Sequence, residues 1–297
     1  MESMLQRFIR YAKINTRSDL HSDAVPTTPG QLDFLHMLEG ELKDLGLSQV
    51  RFNPVDAFVT ALLPSNLPAH QKAPAIGFIA HVDTADFNAE NIQPQVHTDY
   101  DGQDIVLNPD LDIVMRVSEF PNLKHYVGQT LITTDGTTLL GADDKAGLVS
   151  ILEAVIHLLA HPDLPHGDIW LAFGPDEEIG KGAHRFQAQD FPADFAYTLD
   201  SGEVGKLEYE TFNAARVMLT IDGTSVHPGT AKGLMVNALA EAAKLFARLP
   251  QDQVPELTEG HEGYYMLSSQ SGDIGQVQAT YIIRDHDKEN FQARKDF

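Results

Sequence analysis

The chain has 297 residues, of which 42% are apolar and 22% charged, a balance typical of folded globular proteins. Its length predicts two domains with a substantial buried core. The formal net charge of −22 argues against nucleic acid or an anionic membrane as a partner.

The absence of cysteine excludes disulfides and thiolate metal sites, so any zinc has to be held by histidine and carboxylate. The N-terminus is amphipathic without the apolar core of a signal peptide, and no apolar run approaches the length of a transmembrane helix. We therefore expect a cytoplasmic enzyme.

The first elements along the chain are two helices and a hairpin. Apolar side chains at helical spacing predict a helix over residues 4–15. A second helix is predicted to begin at Thr28-Pro29, because proline suits the first helical position. The alternating segment 49–63 predicts a hairpin that turns near Asn53-Pro54.

Strands and helices then alternate. Residues 75–80 form a continuous apolar run, typical of a strand covered on both faces. Residues 144–159 carry an apolar stripe at helical spacing, and two further apolar runs precede Asp176 and Asp200. This alternation predicts an α/β domain over residues 1–207, with a mostly parallel sheet and helices on both faces.

The character of the sequence changes after about residue 205. Strands are predicted over 212–221, 264–268 and 277–284, and helices over 235–249 and 287–297. This β-α-β-β-α order is that of a ferredoxin-like α+β module without its last strand. We expect residues 208–297 to form this second, incomplete domain.

Polar groups follow the apolar runs of the first domain. His81 and Asp83 follow one run, and the pair Glu177-Glu178 follows another. Taken alone, the first two are more typical of a surface histidine beside a turn. The glutamate pair alone fits a solvated loop as well as it fits a metal site. One residue of each pair would bind metal, while its neighbour orients the ligand or acts as general base.

Two further acidic positions complete the set. Asp143-Asp144 precedes a predicted helix, where either residue could serve as a cap, although the flanking Gly141 and Gly147 indicate a close backbone approach. Asp200 by itself could begin a turn. Four such groups at strand ends would meet at one edge of the sheet and repel one another, which favours a bound divalent cation.

Five segments together resemble one family. They are GFIAHVDT (77–84), LGADDKAG (140–147), DEEIG (176–180), TLDSG (198–202) and GTSVHPG (223–229). They resemble the peptidase T family, the tripeptide aminopeptidase branch of the dinuclear-zinc aminopeptidase/carboxypeptidase-like amidohydrolases. The similarity runs over the whole chain, and it implies a zinc-peptidase-like fold with an inserted lid and dimerisation domain.

The resemblance also implies a role for each residue of the first domain. His81 and Asp200 would hold one Zn²⁺, Glu178 the second, and Asp143 would bridge the two. Asp83 would orient His81. The proton acceptor would be Glu177.

In the lid, His227 resembles a residue that reaches the active site, often that of a partner subunit, to stabilise the oxyanion. Its alternative is a tight turn. Arg284 is a weaker candidate for binding the substrate carboxylate, with a surface ion pair as its alternative. Tripeptide substrates and a homodimer formed through the lid are the partners that the resemblance implies.

Family members continue past the lid and return to the catalytic domain with the last histidine ligand of the second zinc. The histidines after Asp200 are His227, His261 and His286, all in the lid module. We therefore expect the chain to be C-terminally truncated and inactive alone. The alternatives are a related amidohydrolase, such as a deacylase or carboxypeptidase, and a non-catalytic remnant that binds metal or peptide.

Overall fold

The computed structural model describes residues 2–202 and 204–297. They form two compact units, Met1–Lys206 and Leu207–Phe297. In the described part of the chain, no helix is both long enough and apolar enough to cross a bilayer.

The first unit contains four helices and nine strands among its described residues. They are α1 (Met4–Ala12), α2 (Pro29–Asp44), β1 (Ser48–Phe52), β2 (Val59–Leu63), β3 (Ile76–His81), β4 (Gln95–His97), β5 (Ile105–Asn108), β6 (Ile113–Met115), β7 (Leu131–Thr133), α3 (Ala142–Ala160), β8 (Ile169–Gly174), α4 (Gly182–Arg185) and β9 (Phe195–Thr198).

The two N-terminal helices begin at local sequence signals. A capping box between Ser3 and Gln6 starts α1, and α2 starts at Pro29 as predicted. Helix α1 ends at Ala12, three residues before the predicted end at 15. The carbonyl of Ile14 instead accepts a hydrogen bond of 2.7 Å from the buried Lys145 ammonium, a tertiary contact that periodicity does not reveal.

The main sheet has the strand order β1-β2-β8-β3-β9. Strands β8, β3 and β9 are parallel neighbours, whereas β2 runs antiparallel to both β8 and β1. Only β2 therefore runs against the other strands of this sheet. The predicted hairpin and the α/β fold class are confirmed.

Strand β8 is buried on both faces. Leu171 and Phe173 belong to a large apolar cluster that includes buried side chains of α1, α2 and α3. The alternate residues Trp170 and Ala172 face a second cluster with Phe191, which lies after the short helix α4. The three long helices thus pack on one face of the sheet and mainly loop residues cover the other, whereas the sequence predicted helices on both faces.

Residues 84–141 hold two small sheets that the sequence analysis did not predict. Strand β4 pairs with β7, and β5 pairs with β6, around a separate apolar cluster that includes Tyr100, Ile105 and Leu123. These strands have only three or four residues each. Such lengths are too short to show a clear alternation of apolar and polar residues.

Arg7 connects the three long helices electrostatically. Its side chain is 8% exposed, and its guanidinium lies 2.9 Å from Glu41 of α2 and 3.2 Å from Glu153 of α3. We expect Arg7→Met to lower the free energy of unfolding by about 3 kcal/mol, because both carboxylates lose a partly buried partner.

The control is Arg10→Met, since Arg10 also pairs with Glu41 but has a side chain that is 37% exposed. The free energy of unfolding of that variant is expected to fall by less than about 1 kcal/mol. Urea denaturation of both variants measures the difference. Equal losses in the two variants would contradict the assignment of Arg7 as the buried link between the helices.

The second unit has the predicted β-α-β-β-α order. Its elements are β10 (Asn213–Asp222), α5 (Ala238–Arg248), β11 (Tyr264–Gly272), β12 (Gln276–Asp285) and α6 (Lys288–Asp296). The three strands form an antiparallel sheet in the order β10-β12-β11. Ala238 and Ala242 of α5 pack against Ile221 and Val277 of this sheet. This is the strand order of a ferredoxin-like module without its last strand.

Candidate metal centre

The candidate ligands of the first unit lie where three parallel strands end. His81 is the last residue of β3, the pair Glu177-Glu178 follows β8, and Asp200 follows β9. Asp143 lies in the first turn of α3. Since ligands of open α/β sheets bind outside the carboxyl ends of the strands, this edge is the expected position for a site.

His81 is the centre of this cluster. It is 6% exposed, and its Nε2 lies 3.0 Å from Asp143 Oδ1, 3.8 Å from Asp200 Oδ1 and 4.0 Å from Glu177 Oε2. Its Nδ1 lies on the other side of the ring, 3.0 Å from the carbonyl oxygen of Asp83. The ring therefore directs Nε2 toward the carboxylates.

Asp83 joins His81 to the glutamate pair. It is fully buried, and one carboxylate oxygen lies 3.4 Å from His81 Nδ1. The two carboxylate oxygens accept hydrogen bonds from the backbone N–H groups of Glu177, at 2.9 Å, and Glu178, at 3.1 Å. One buried side chain thus positions both the imidazole and the loop that carries the acids.

Two ligand groups form around His81. In one, His81 lies with Asp143 and Glu178, and in the other with Asp144 and Asp200; one ligand atom from each member lies within 4.8 Å of the others. Asp144 is 3% exposed and accepts a hydrogen bond of 3.2 Å from the His81 backbone N–H. The buried Asp144 thus joins the cluster through the backbone of its histidine.

The two glycines that flank the aspartates permit this approach. Gly141 has φ of +72°, a conformation that favours glycine. A Cβ on Gly147 would lie 2.0 Å from the carbonyl oxygen of Leu199 and 2.2 Å from Asp144 Oδ1. The close backbone approach predicted at this segment is confirmed.

Burial and crowding shift the protonation of the carboxyl groups. Burial raises the pKa of Asp144 to about 8, and burial followed by the negative charge of Asp143 raises that of Glu178 to about 7 and that of Asp200 to about 6. Burial alone lowers the pKa of His81, but hydrogen bonds to Asp143 and Asp83 outweigh it and raise the pKa to about 11.

Without a cation, Asp144 and the imidazole of His81 therefore retain their protons at neutral pH, and Glu178 is partly protonated. A divalent cation supplies the positive charge that lets the carboxylates ionise together, and mixed nitrogen and oxygen ligands suit such an ion. The residues present consequently fit a metal cofactor.

A cleft of about 300 Å³ opens beside the cluster. Its lining includes His81, Glu177 and Asp200 together with the apolar side chains of Phe58 and Phe186. A small ligand in this cleft would contact both the metal ligands and an apolar wall.

Asp176 supports the loop that carries the two glutamates, a role that the sequence analysis missed. It is fully buried, with φ of +61°, and accepts hydrogen bonds from Gln31 at 3.0 Å and Arg185 at 2.7 Å. Thr27 Oγ1 donates a further bond of 2.5 Å. Gln31 and Thr27 are 145 and 149 residues away, so in the sequence only the position of Asp176 directly after an apolar run could have indicated this role.

The structure thus brings together six predicted residues: His81, Asp83, Asp143, Glu177, Glu178 and Asp200. His227 and Arg284 belong to the second unit. His227 is exposed at the start of a tight turn, where its Nδ1 accepts a hydrogen bond of 3.1 Å from Gly229. The exposed Arg284 guanidinium lies 4.7 Å from the centre of the Phe212 ring.

Comparisons with known proteins show which proteins this chain resembles. A family described as a peptidase dimerisation domain matches residues 209–296. Peptidase T of Fusobacterium nucleatum is 56% identical, in an alignment that covers 99% of this chain and 71% of that protein. Peptidase T of Bacillus subtilis is 52% identical, with 99% of this chain and 72% of that protein covered.

Solved structures show the same fold. The aminopeptidase PepT of Bacillus cereus matches with a TM-score of 0.65 at 24% identity, over 98% of this chain and 68% of that one. A tripeptidase of Staphylococcus aureus matches with a TM-score of 0.68 at 22% identity, over the same shares. Given the identity to its relatives along nearly its whole length, this chain belongs to the peptidase T family of metallo-aminopeptidases.

Proposed function

We propose that this protein is a zinc-dependent tripeptide aminopeptidase that releases the N-terminal residue of tripeptides by attack of water on the first peptide bond. The observation that carries the proposal is the cluster around His81, in which carboxylates collect on Nε2 while Glu177 remains outside both ligand groups. Relatives named peptidase T support the substrate class.

Each predicted ligand has a part in this proposal. His81 and Asp200 would hold one Zn²⁺, Glu178 would hold the second, and Asp143 would serve as a ligand of both. The 3.0 Å approach of Asp143 to His81 Nε2 and its grouping with Glu178 support this assignment. Zinc bound there would lower the pKa of a water molecule and polarise the scissile carbonyl.

Proton transfer is assigned to a side chain of the protein. Glu177 takes the proton of the attacking water and delivers it to the leaving amine, as a general base followed by a general acid. Its carboxylate lies 4.0 Å from His81 Nε2, the nitrogen that would hold the metal, so it is placed beside the position where the attacking water would be activated. Asp83 keeps the ring of His81 in its orientation.

The second unit supplies the remaining parts of the proposal. His227 stabilises the oxyanion, and Arg284 binds the carboxylate of the tripeptide. The match to a peptidase dimerisation domain supports a homodimer formed through this unit. We further propose that the enzyme acts in the cytoplasm.

A substrate panel tests the function. Free tripeptides, N-acetylated tripeptides and N-acyl amino acids are offered to the zinc-supplemented chain, with the enzyme in excess so that slow turnover is measured. Any cleavage is expected to be confined to tripeptides with a free amine, and calorimetry is expected to show that only these bind in a zinc-dependent manner, whether or not the chain hydrolyses them. Preference for N-acyl amino acids would instead indicate a deacylase.

That these 297 residues are inactive alone stays a prediction, and the same panel tests it. Zinc uptake without hydrolysis of any substrate would support a non-catalytic metal-binding or peptide-binding role for this chain.

A further inference from the structure

The second unit contains a cluster of potential metal ligands of its own. Glu210, His261 and His286 each offer one ligand atom within 4.8 Å of the other two. We refer to these residues as the Glu–His–His cluster. None of them belongs to the ligand groups around His81.

The sheet of this unit brings the three residues to one end. Strand β10 begins where β12 ends, and β11 begins beside that same end. Glu210 precedes β10, His261 precedes β11, and His286 directly follows β12. The antiparallel pairing therefore gathers three segments that are far apart in the sequence.

Contacts within the cluster are direct. The Nε2 atom of His261 is hydrogen-bonded to Oε2 of Glu210. The imidazole rings of His261 and His286 lie 4.7 Å apart between centres, at 81° to each other. Both histidines and the carboxylate thus already face a common space.

The backbone at His286 is held in place. Asn213 donates side-chain hydrogen bonds to the carbonyls of Asp285, at 3.1 Å, and His286, at 3.2 Å. The buried Asp285 in turn accepts bonds from Arg294 at 2.7 Å and from the Asp287 N–H at 2.9 Å. One ligand is therefore preorganised, while the side chains of Glu210 and His261, which are 55% and 67% exposed, are free to adjust.

We propose that the Glu–His–His cluster binds a transition metal ion of the zinc class, at a site formed entirely by the second unit. Two imidazoles and one carboxylate are a donor set that Zn²⁺ accepts, and imidazole selects Zn²⁺, Ni²⁺ or Cu²⁺ over Mg²⁺ and Ca²⁺. Tetrahedral zinc needs ligand atoms about 3.3 Å apart, a spacing that the two exposed side chains can reach by small movements.

Binding would tie the segment before β10 to the loop before β11 and to the end of β12. A ligand that binds only the folded state raises stability with its concentration, so Zn²⁺ is expected to raise the melting temperature through this site. Without metal, the cluster is a surface hydrogen bond with a ring contact.

Zinc binding by the full chain tests the proposal. Equilibrium dialysis with Zn²⁺ is carried out on His81→Ala, which removes the ligand shared by both groups of the first unit, with and without the double change His261→Ala and His286→Ala. We expect the double change to remove one Zn²⁺ per chain and to abolish the zinc-dependent rise in melting temperature. The double change is also expected to remove one Zn²⁺ per chain when it is made in the chain that retains His81.

The matched control replaces His70 and His125, two exposed histidines outside the ligand groups of the described residues, with alanine. This control is expected to leave the number of bound Zn²⁺ ions and the zinc-dependent rise in melting temperature unchanged. Glu210→Gln, an isosteric change at an exposed position, is expected to weaken zinc affinity by about tenfold or more. Unchanged stoichiometry and affinity in the double variant and in Glu210→Gln would overturn the proposal. The metal lost through His81→Ala is counted separately. A negative result for the Glu–His–His cluster is therefore distinguishable from a negative result for the site around His81.

Discussion

Replacing Glu177 with glutamine is expected to lower kcat for whatever tripeptide hydrolysis the zinc-supplemented chain carries out by about two to four orders of magnitude, because the amide cannot accept the proton of the attacking water. Zinc content and the KM for the tripeptide are expected to remain close to their original values. Glu177 lies outside both ligand groups around His81, and its side chain is 55% exposed, so its loss leaves the ligand set intact. Single-turnover hydrolysis over a range of concentrations measures kcat and KM, and equilibrium dialysis measures the zinc content.

The neighbouring residue provides the sharpest control. Glu178→Gln is the same chemical change one position away, but Glu178 is half-buried and lies in a ligand group with His81 and Asp143. We expect that variant to lose zinc affinity, whereas Glu119→Gln, at an exposed position, changes neither quantity. Loss of zinc in Glu177→Gln, or full turnover by that variant, would contradict the assignment of Glu177 as the proton acceptor.

The candidate site was predictable to the extent that it depends on strand ends. His81, Glu177 and Asp200 each follow an apolar run, and parallel strands of one sheet bring such positions to a common edge. The fold class followed from the same alternation of apolar runs and helical stripes. Local pattern and one topological rule were sufficient for this part.

Long-range polar contacts were not predictable in this way. The carboxylate of Asp83 bonds to the N–H of Glu177, 94 residues away, and the three ligands of the Glu–His–His cluster come from separate segments. No spacing in the sequence marks such pairs, because tertiary packing alone determines which backbone donors face a buried acid. The small sheets between 84 and 141 escaped prediction for a different reason, since their strands are too short for periodicity.

The position of Asp83 after a strand is predictable from the sequence, whereas its long-range contacts are not. The variant Asp83→Asn is expected to lower zinc affinity by about 10–100-fold. The carboxylate accepts from two backbone N–H groups with its two oxygens, whereas an asparagine has one oxygen and one NH₂ group. One buried N–H of Glu177 or Glu178 therefore loses its acceptor, at a cost of about 1–3 kcal/mol in the free energy of unfolding. Zinc titration and urea denaturation measure the two effects.

The two readouts separate orientation of the ligand from support of the loop. If Asp83 orients His81, Asp83→Asn lowers zinc affinity even under conditions in which the variant remains folded. Under those conditions its lower stability cannot account for the loss of affinity. Asp86→Asn is the matched control, since Asp86 is exposed and pairs with Arg17 at the surface. A variant that is less stable but binds zinc as tightly as before would show that Asp83 only anchors the loop. In that case the orientation of His81 would depend on the backbone carbonyl of residue 83, which lies 3.0 Å from Nδ1 and is retained in every substitution at this position.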